Sequence, residues 1–210
     1  MHKLKSRTLG EAWLDLVRQT MEKGNRLAEE GYEVLNVQTA FPAANGPDAV
    51  LEQFGDKRII EEMHKVFFLE GENALGHSYA GKMRGPAGRR DLQDVITLLR
   101  AEPFSKRAVV TLCGSGDGEV PCINVIQFLV RDGKVETIYF ARGQDAFQKF
   151  YADGLCVAAM AERVAAGLGL PAGTVTGFIA SSHVYDRDLP AIQQLLVQVS
   201  NGKVVEKGGG

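Results

Sequence analysis

The sequence predicts an α/β fold, on three observations. Two apolar runs flank Arg131-Asp132-Gly133, where Asp-Gly supports the positive φ of a short hairpin. Leu9, Trp13, Leu16, Val17 and Met21 recur at helical spacing behind Thr8-Leu9-Gly10-Glu11, a capping-box pattern, and Gly24 ends the run. Ala146, Phe147, Phe150, Leu155, Ala158, Ala159 and Leu168 describe a long helix that closes at Gly167-Leu168-Gly169, with Pro171 beyond it. Its small residues suit the middle of a domain.

Taken in order, the first helix is followed by a strand over residues 32–41, only part of which alternates cleanly, and by a loop marked by Pro42, Gly46 and Pro47. A helix over 48–70 breaks at Gly55. Tyr79 falls in a Gly-flanked loop, where an aromatic side chain is commonly a packing residue. Residues 91–100 form a short amphipathic helix with Leu92, Val95, Ile96 and Leu99 inward, stopped by Pro103. The apolar runs 108–112 and 123–130 read as strands of a sheet covered on both sides. The last strand, 174–185, puts His183 and Tyr185 on one face, because side chains two apart share a side of a strand. Residues 1–200 are expected to form one domain, with 201–210 a flexible, polar, Gly-ended tail.

Composition narrows the function classes. A chain of 210 residues with 45% hydrophobic content can bury a full core. A net charge of -2 and a pI near 6.1 give no global field for nucleic acid or anionic membrane, so any nucleotide bound should be small. No apolar run approaches a membrane span, and the start Met-His-Lys-Leu-Lys-Ser-Arg lacks the apolar middle of a signal peptide, which points to the cytoplasm. Cys113, Cys122 and Cys156 make no zinc-type spacing and are odd in number, as expected of reduced thiols. One is a candidate nucleophile and the other two are expected to be buried fillers.

The densest signal lies at 121–153. Pro121-Cys122, Gln127-Phe128-x-Val130-x-x-Gly133-Lys134, Arg142-x-x-Asp145 and Asp153, with His183-x-Tyr185 beyond, resemble in order and spacing the core of the thymidylate synthase superfamily. The length is similar to that of the short archaeal-type thymidylate synthases. Asp153 stands where uracil-specific members carry Asn, as in the deoxycytidylate and cytidylate hydroxymethylases.

The resemblance implies a thymidylate synthase-like α+β fold, a mixed sheet with helices on one face that dimerises through the other. It implies catalytic roles for four residues. Cys122 adds to C6 of the ring, with Arg142 favouring its thiolate. Glu62 relays a proton through water, although another register places His64 there. Tyr79, in a segment running to Arg84, helps remove the C5 proton. Asp153 reads the base.

Substrate binding is implied for Arg142, Asp145, His183 and Tyr185, the last two at the sugar. Ser105-Lys106-Arg107 resembles a Ser-Arg-Arg that reaches across the dimer to the partner's phosphate; Lys106 keeps the charge but gives up the bidentate fork. Arg26 is the candidate for a further phosphate-binding Arg. Gly143 replaces a phosphate-binding Ser, and the carboxyl end lacks the apolar terminus that closes over folate. The implied one-carbon donor is 5,10-methylenetetrahydrofolate, with no metal.

Asp153 selects between bases by hydrogen-bond pattern. Cytosine presents an N3 acceptor and an N4 donor, which a carboxyl sharing its proton matches in two places. Uracil reverses both, and each mismatched buried group costs about 1–3 kcal/mol. This points to a cytosine nucleotide, and the resemblance to the cytosine-specific members implies C5 hydroxymethylation of CMP or dCMP. The alternatives are methylation of dUMP, or a homologue that binds nucleotide without turnover.

Overall fold

A computed structural model describes residues 2–28, 30–43, 46–69, 71, 78–83, 91–113 and 120–201. The chain opens with a short strand β1 (His2–Lys5) and helix α1 (Leu9–Lys23), whose Thr8 side chain caps the first turn by accepting from the Glu11 amide at 3.1 Å. Strands β2 (Asn25–Leu27) and β3 (Gly31–Pro42) follow. The broken alternation of β3 has a local cause: Asn36 adopts φ 59°, a left-handed conformation that Asn tolerates, and drops out of the pairing with its neighbour strand.

The helix expected over 48–70 is two, α2 (Ala49–Phe54) and α3 (Lys57–Phe68), separated at Gly55 and capped by Asp48 and Asp56. Tyr79 opens a short helix α4 (Tyr79–Met83), not a loop. Helix α5 (Leu92–Ala101) starts at a capping box of Asp91 and Asp94. Strands β4 (Val109–Thr111), β5 (Ile123–Arg131) and β6 (Lys134–Ala141) come next. At the β5–β6 turn Asp132 and Gly133 both have positive φ, 48° and 71°, as the twist of a two-residue hairpin requires. The two-residue strand β7 (Gln144–Asp145) leads into the long helix α6 (Phe150–Leu168), which ends on left-handed Gly169. Strand β8 (Ala172–Tyr185) and helix α7 (Leu189–Ser200) complete the described chain. Neither β1 nor α7 is among the expected elements.

The strands form one mixed sheet in the order β1-β3-β8-β6-β5-β4, with β2 beside β3 and β7 beside β8. The contacts β1–β3, β6–β8 and β7–β8 are parallel and the others antiparallel. Helices α1 and α6 pack on this sheet, α6 so closely to α1 that a Cβ on Gly154 would stand 2.6 Å from Leu9 Cδ1. Alternate strand residues such as Val37, Tyr139, Val175 and Ile179 are buried between sheet and helices. Apolar side chains of the opposite sheet face stay open in the single chain. Phe140 and Phe178 are register partners, 40% and 38% exposed, and Leu35 is 52% exposed. The tail from 202 and Arg84 lie outside the described residues.

Candidate active site

The site forms where β5, β7, β8 and the first turn of α6 meet. Cys122 lies just before β5, at a corner where Asn124 Nδ2 donates to the Pro121 carbonyl at 2.8 Å and the pairing with β6 shifts register between Ile123 and Val125. The Arg142 amide donates to the Cys122 carbonyl at 2.9 Å, so the backbone at Cys122 is tied to the end of β6. In β7, Gln144 pairs with Ser182 and Asp145 with His183. Asp145 Oδ1 then accepts from the Phe147 and Gln148 amides at 3.0 and 2.9 Å, a local turn that delivers the chain into α6. Asp153 follows in the first turn of α6.

A cavity of about 260 Å³ opens here. Of the residues singled out by sequence, Cys122, Tyr79, Asp145, Asp153, His183 and Tyr185 line it. His183 and Tyr185 stand edge to face, ring centroids 5.2 Å apart, as their spacing on one strand predicts. Cys122 is part-exposed, Cys156 is buried, and Cys113 is exposed rather than a buried filler.

Six candidate residues do not line the cavity within this chain. Arg142 is exposed, and its Nε donates to the Val120 carbonyl at 2.8 Å. Glu62 pairs with Lys149 at 3.4 Å, and it is its neighbour Met63, with Lys149, that forms the wall. His64, the other register, stacks on Phe68 at 5.0 Å. Lys106 is exposed, its carbonyl accepting from Gln127 Nε2 at 2.8 Å, and Arg107 pairs with Glu102 at 2.6 Å. Arg26 is held by Asp186, Nη2 to Oδ2 at 2.7 Å.

Lining residues that sequence reasoning missed are Gln144, Gln148, Lys149, Met63 and Arg187. Lys149 carried a signal, since it precedes Asp153 by one helical turn and such pairs face each other. Gln144 lay inside the Arg-x-x-Asp run as an unspecified position.

Burial dominates the electrostatics. The Asp153 carboxyl is pushed up to about 7, first by desolvation and then by Asp145, against the hydrogen bond from Gln144 and the charge of Lys149. Gln144 Nε2 donates to Asp153 Oδ2 at 2.9 Å. Asp153 Oδ1 and Gln144 Oε1 are buried without a partner among the described residues, each at a cost of about 1–3 kcal/mol. The Cys122 thiol is raised by burial and by Asp153. Arg142 and Lys149 act in the opposite direction without overcoming them, so the expected net activation of the thiolate by Arg142 is not what this geometry gives. The Tyr79 hydroxyl is raised well beyond the ordinary phenol by burial, Asp153 and Cys122, while hydrogen bonds with the backbone at Ile123 and Cys122 work against the rise. Asp145 is raised by burial, with His183 and the two turn amides offsetting part of it. A thiol and a protonatable carboxyl lining one cavity with a buried phenol suit addition of sulfur to an electron-poor ring.

Comparison with known proteins identifies the family. A thymidylate synthase family model matches residues 65–204. Three proteins named "Putative thymidylate synthase" are similar along nearly their whole length. The one from Methanosarcina barkeri is 25% identical, covering 94% of this chain and 95% of that protein. Those from Methanothermobacter thermautotrophicus and Methanococcoides burtonii are 23% and 26% identical, covering 90% and 92% of this chain and 95% and 94% of theirs. Since the model spans more than half of the sequence and includes the cavity's cysteine, both its aspartates and the His-x-Tyr strand, this chain belongs to the thymidylate synthase family.

Proposed function

We propose that this protein is a folate-dependent enzyme that hydroxymethylates C5 of a cytosine nucleotide, CMP or dCMP, through a covalent Cys122–C6 adduct. Family membership supports the coarser statement, one-carbon transfer to a pyrimidine nucleotide. The choice of a cytosine base is supported by one observation, a buried, protonatable carboxyl at 153 that shares the cavity with the candidate nucleophile, and the hydroxymethyl product follows the analogy with cytosine-specific members.

Cys122, as thiolate, adds to C6 while Asp153 shares a proton with N3, so that the electron pair pushed into the ring is accommodated and C5 becomes nucleophilic. The family's donor, 5,10-methylenetetrahydrofolate, supplies a one-carbon unit at the oxidation level of formaldehyde. The residues present fit a reduced pterin: Asp145 lines the cavity with Oδ1 taken by two amides, leaving Oδ2 for an N–H edge, and Met63 supplies an apolar wall. After C5 is substituted, its proton passes to a base assisted by Tyr79, and Glu62, held by Lys149, serves the relay through water. Loss of that proton would release tetrahydrofolate and leave a methylene on C5; water adding to that methylene carbon as the C6–S bond breaks gives the hydroxymethyl product and frees the thiolate. His183 and Tyr185 hold the sugar.

The exposed apolar sheet face around Phe140 and Phe178 suits a second copy of the chain, and in such a dimer Lys106 and Arg107 would be offered to the partner's cavity. No helix among the described residues is long and apolar enough to cross a membrane.

Release of tritium from C5-labelled CMP, dCMP and dUMP, each with methylenetetrahydrofolate, tests the assignment. Release from a cytosine nucleotide with a hydroxymethyl product is expected. Release from dUMP alone would replace this reading by thymidylate synthesis, and nucleotide binding without release would favour a homologue that has lost turnover.

A further inference from the structure

Gln144 and Asp153 form a pair in which one oxygen of each has no partner among the described residues. Gln144 is 1% and Asp153 4% exposed, both line the cavity, and one hydrogen bond joins them, Nε2 to Oδ2 at 2.9 Å. The remaining oxygen of each, Asp153 Oδ1 and Gln144 Oε1, is buried without a partner among the described residues. Buried polar atoms are almost always satisfied, so two orphans in adjacent side chains on one cavity wall point to a ligand that completes them.

We propose that Gln144 is a specificity-determining residue, whose amide fixes Asp153 through the Nε2–Oδ2 bond and offers Oε1 to the exocyclic amino group of a cytosine nucleotide. This rests on the reading of the cavity as a pyrimidine-nucleotide site. The logic is directional. Because Oδ2 already accepts from Gln144, a proton carried by Asp153 belongs on Oδ1. The pair then presents a donor, Oδ1–H, beside an acceptor, Oε1. Cytosine answers with the N3 lone pair and an N4–H, in that order.

If Asp153 gives up its proton, the carboxylate can only accept, which holds the Gln144 amide in the same orientation and keeps Oε1 an acceptor. Uracil O4 would meet lone pairs in either case. Accepting uracil requires the amide to turn over and Asp153 to keep a proton on Oδ2, so discrimination depends on Gln144 as well as on the acid. The backbone supports the placement: Gln144 is held in β7 opposite Ser182 of β8, whose Oγ is in turn bonded to Thr20 Oγ1 at 2.9 Å.

Calorimetric binding of dCMP, CMP, dUMP and UMP to the full-length protein and to Gln144→Met tests this. The wild type should favour the cytosine nucleotide. Gln144→Met, which keeps length but offers no acceptor, should reduce that preference about tenfold or more, chiefly by weakening the cytosine ligand. A folded Gln144→Met that retains the wild-type preference overturns the role of Gln144 and leaves the cavity reading intact. A wild type that binds pyrimidine nucleotides but favours uracil overturns the base assignment. A wild type that binds none removes the site reading and this proposal with it. Should Gln144→Met not fold, a crystal structure of the wild type with dCMP decides: the Gln144 oxygen within hydrogen-bond distance of N4 supports the proposal, and a side chain out of reach overturns it.

Discussion

Replacing Asp153 by Asn keeps the size of the side chain and an oxygen for Gln144 Nε2, and removes only the titrating charge. Burial raises this carboxyl from 3.8 to about 7, so the folded protein holds the proton more tightly than the unfolded chain. The sign follows directly. The group supports the fold fully below its unfolded pKa, and that support is lost as pH rises from 3.8 through about 7. Each pH unit inside the window is worth about 1.4 kcal/mol, so up to about 4 kcal/mol is at stake, of which about 3 lies above pH 5. Groups other than residue 153 titrate in both proteins and cancel to first order. Urea unfolding of parent and Asp153→Asn at pH 5 and pH 8 measures the difference. The variant should gain about 3 kcal/mol on the parent between the two pH values. A gap that stays constant within about 0.5 kcal/mol would refute the claim that this carboxyl is desolvated enough to hold its proton near neutrality.

Two further outcomes follow from local geometry. In a Cys113→Ser background, which removes the exposed thiol, the rate of Cys122 alkylation by iodoacetamide should climb with pH without a plateau below pH 9.0, because burial and Asp153 both disfavour the thiolate; mass spectrometry of the modified peptide follows it, and saturation near neutrality would show an activated thiol instead. Gly154→Ala should lower stability by about 1–2 kcal/mol in a thermal melt despite the better helix propensity of Ala, since the added Cβ would stand 2.6 Å from Leu9 Cδ1 and 3.4 Å from Phe41 Cζ in the core; an unchanged or raised midpoint would show that α1 and α6 can separate freely.

Much of the fold was written in local pattern. The Asp132-Gly133 hairpin, the helix breaks at Gly24 and Gly55, and the end of α6 at Gly169 each rest on a backbone preference that neighbours do not override. Strand β1 escaped notice because four residues with alternating burial cannot be told from loop, and its partner β3 lies more than thirty positions away. Motif spacing placed Cys122, Asp145, Asp153, His183 and Tyr185 in one cavity. It could not show where a long side chain turns: Arg142 folds back to the Val120 carbonyl and Glu62 is drawn aside by Lys149, both results of packing between distant segments. Nor could it say that burial outweighs the cations around Cys122, because desolvation is a property of the assembled wall.

The β7–β8 ladder has a consequence for how this pocket can change. Gln144 and Asp145 lie opposite Ser182 and His183 through main-chain bonds, so the part of the cavity lined by Gln144 and the part lined by His183 are mounted on a common rail whose pitch no side chain sets. On the proposed reading, exchanging residues 144 and 153 would retune which heterocycle enters while the backbone beneath His183 stays in place.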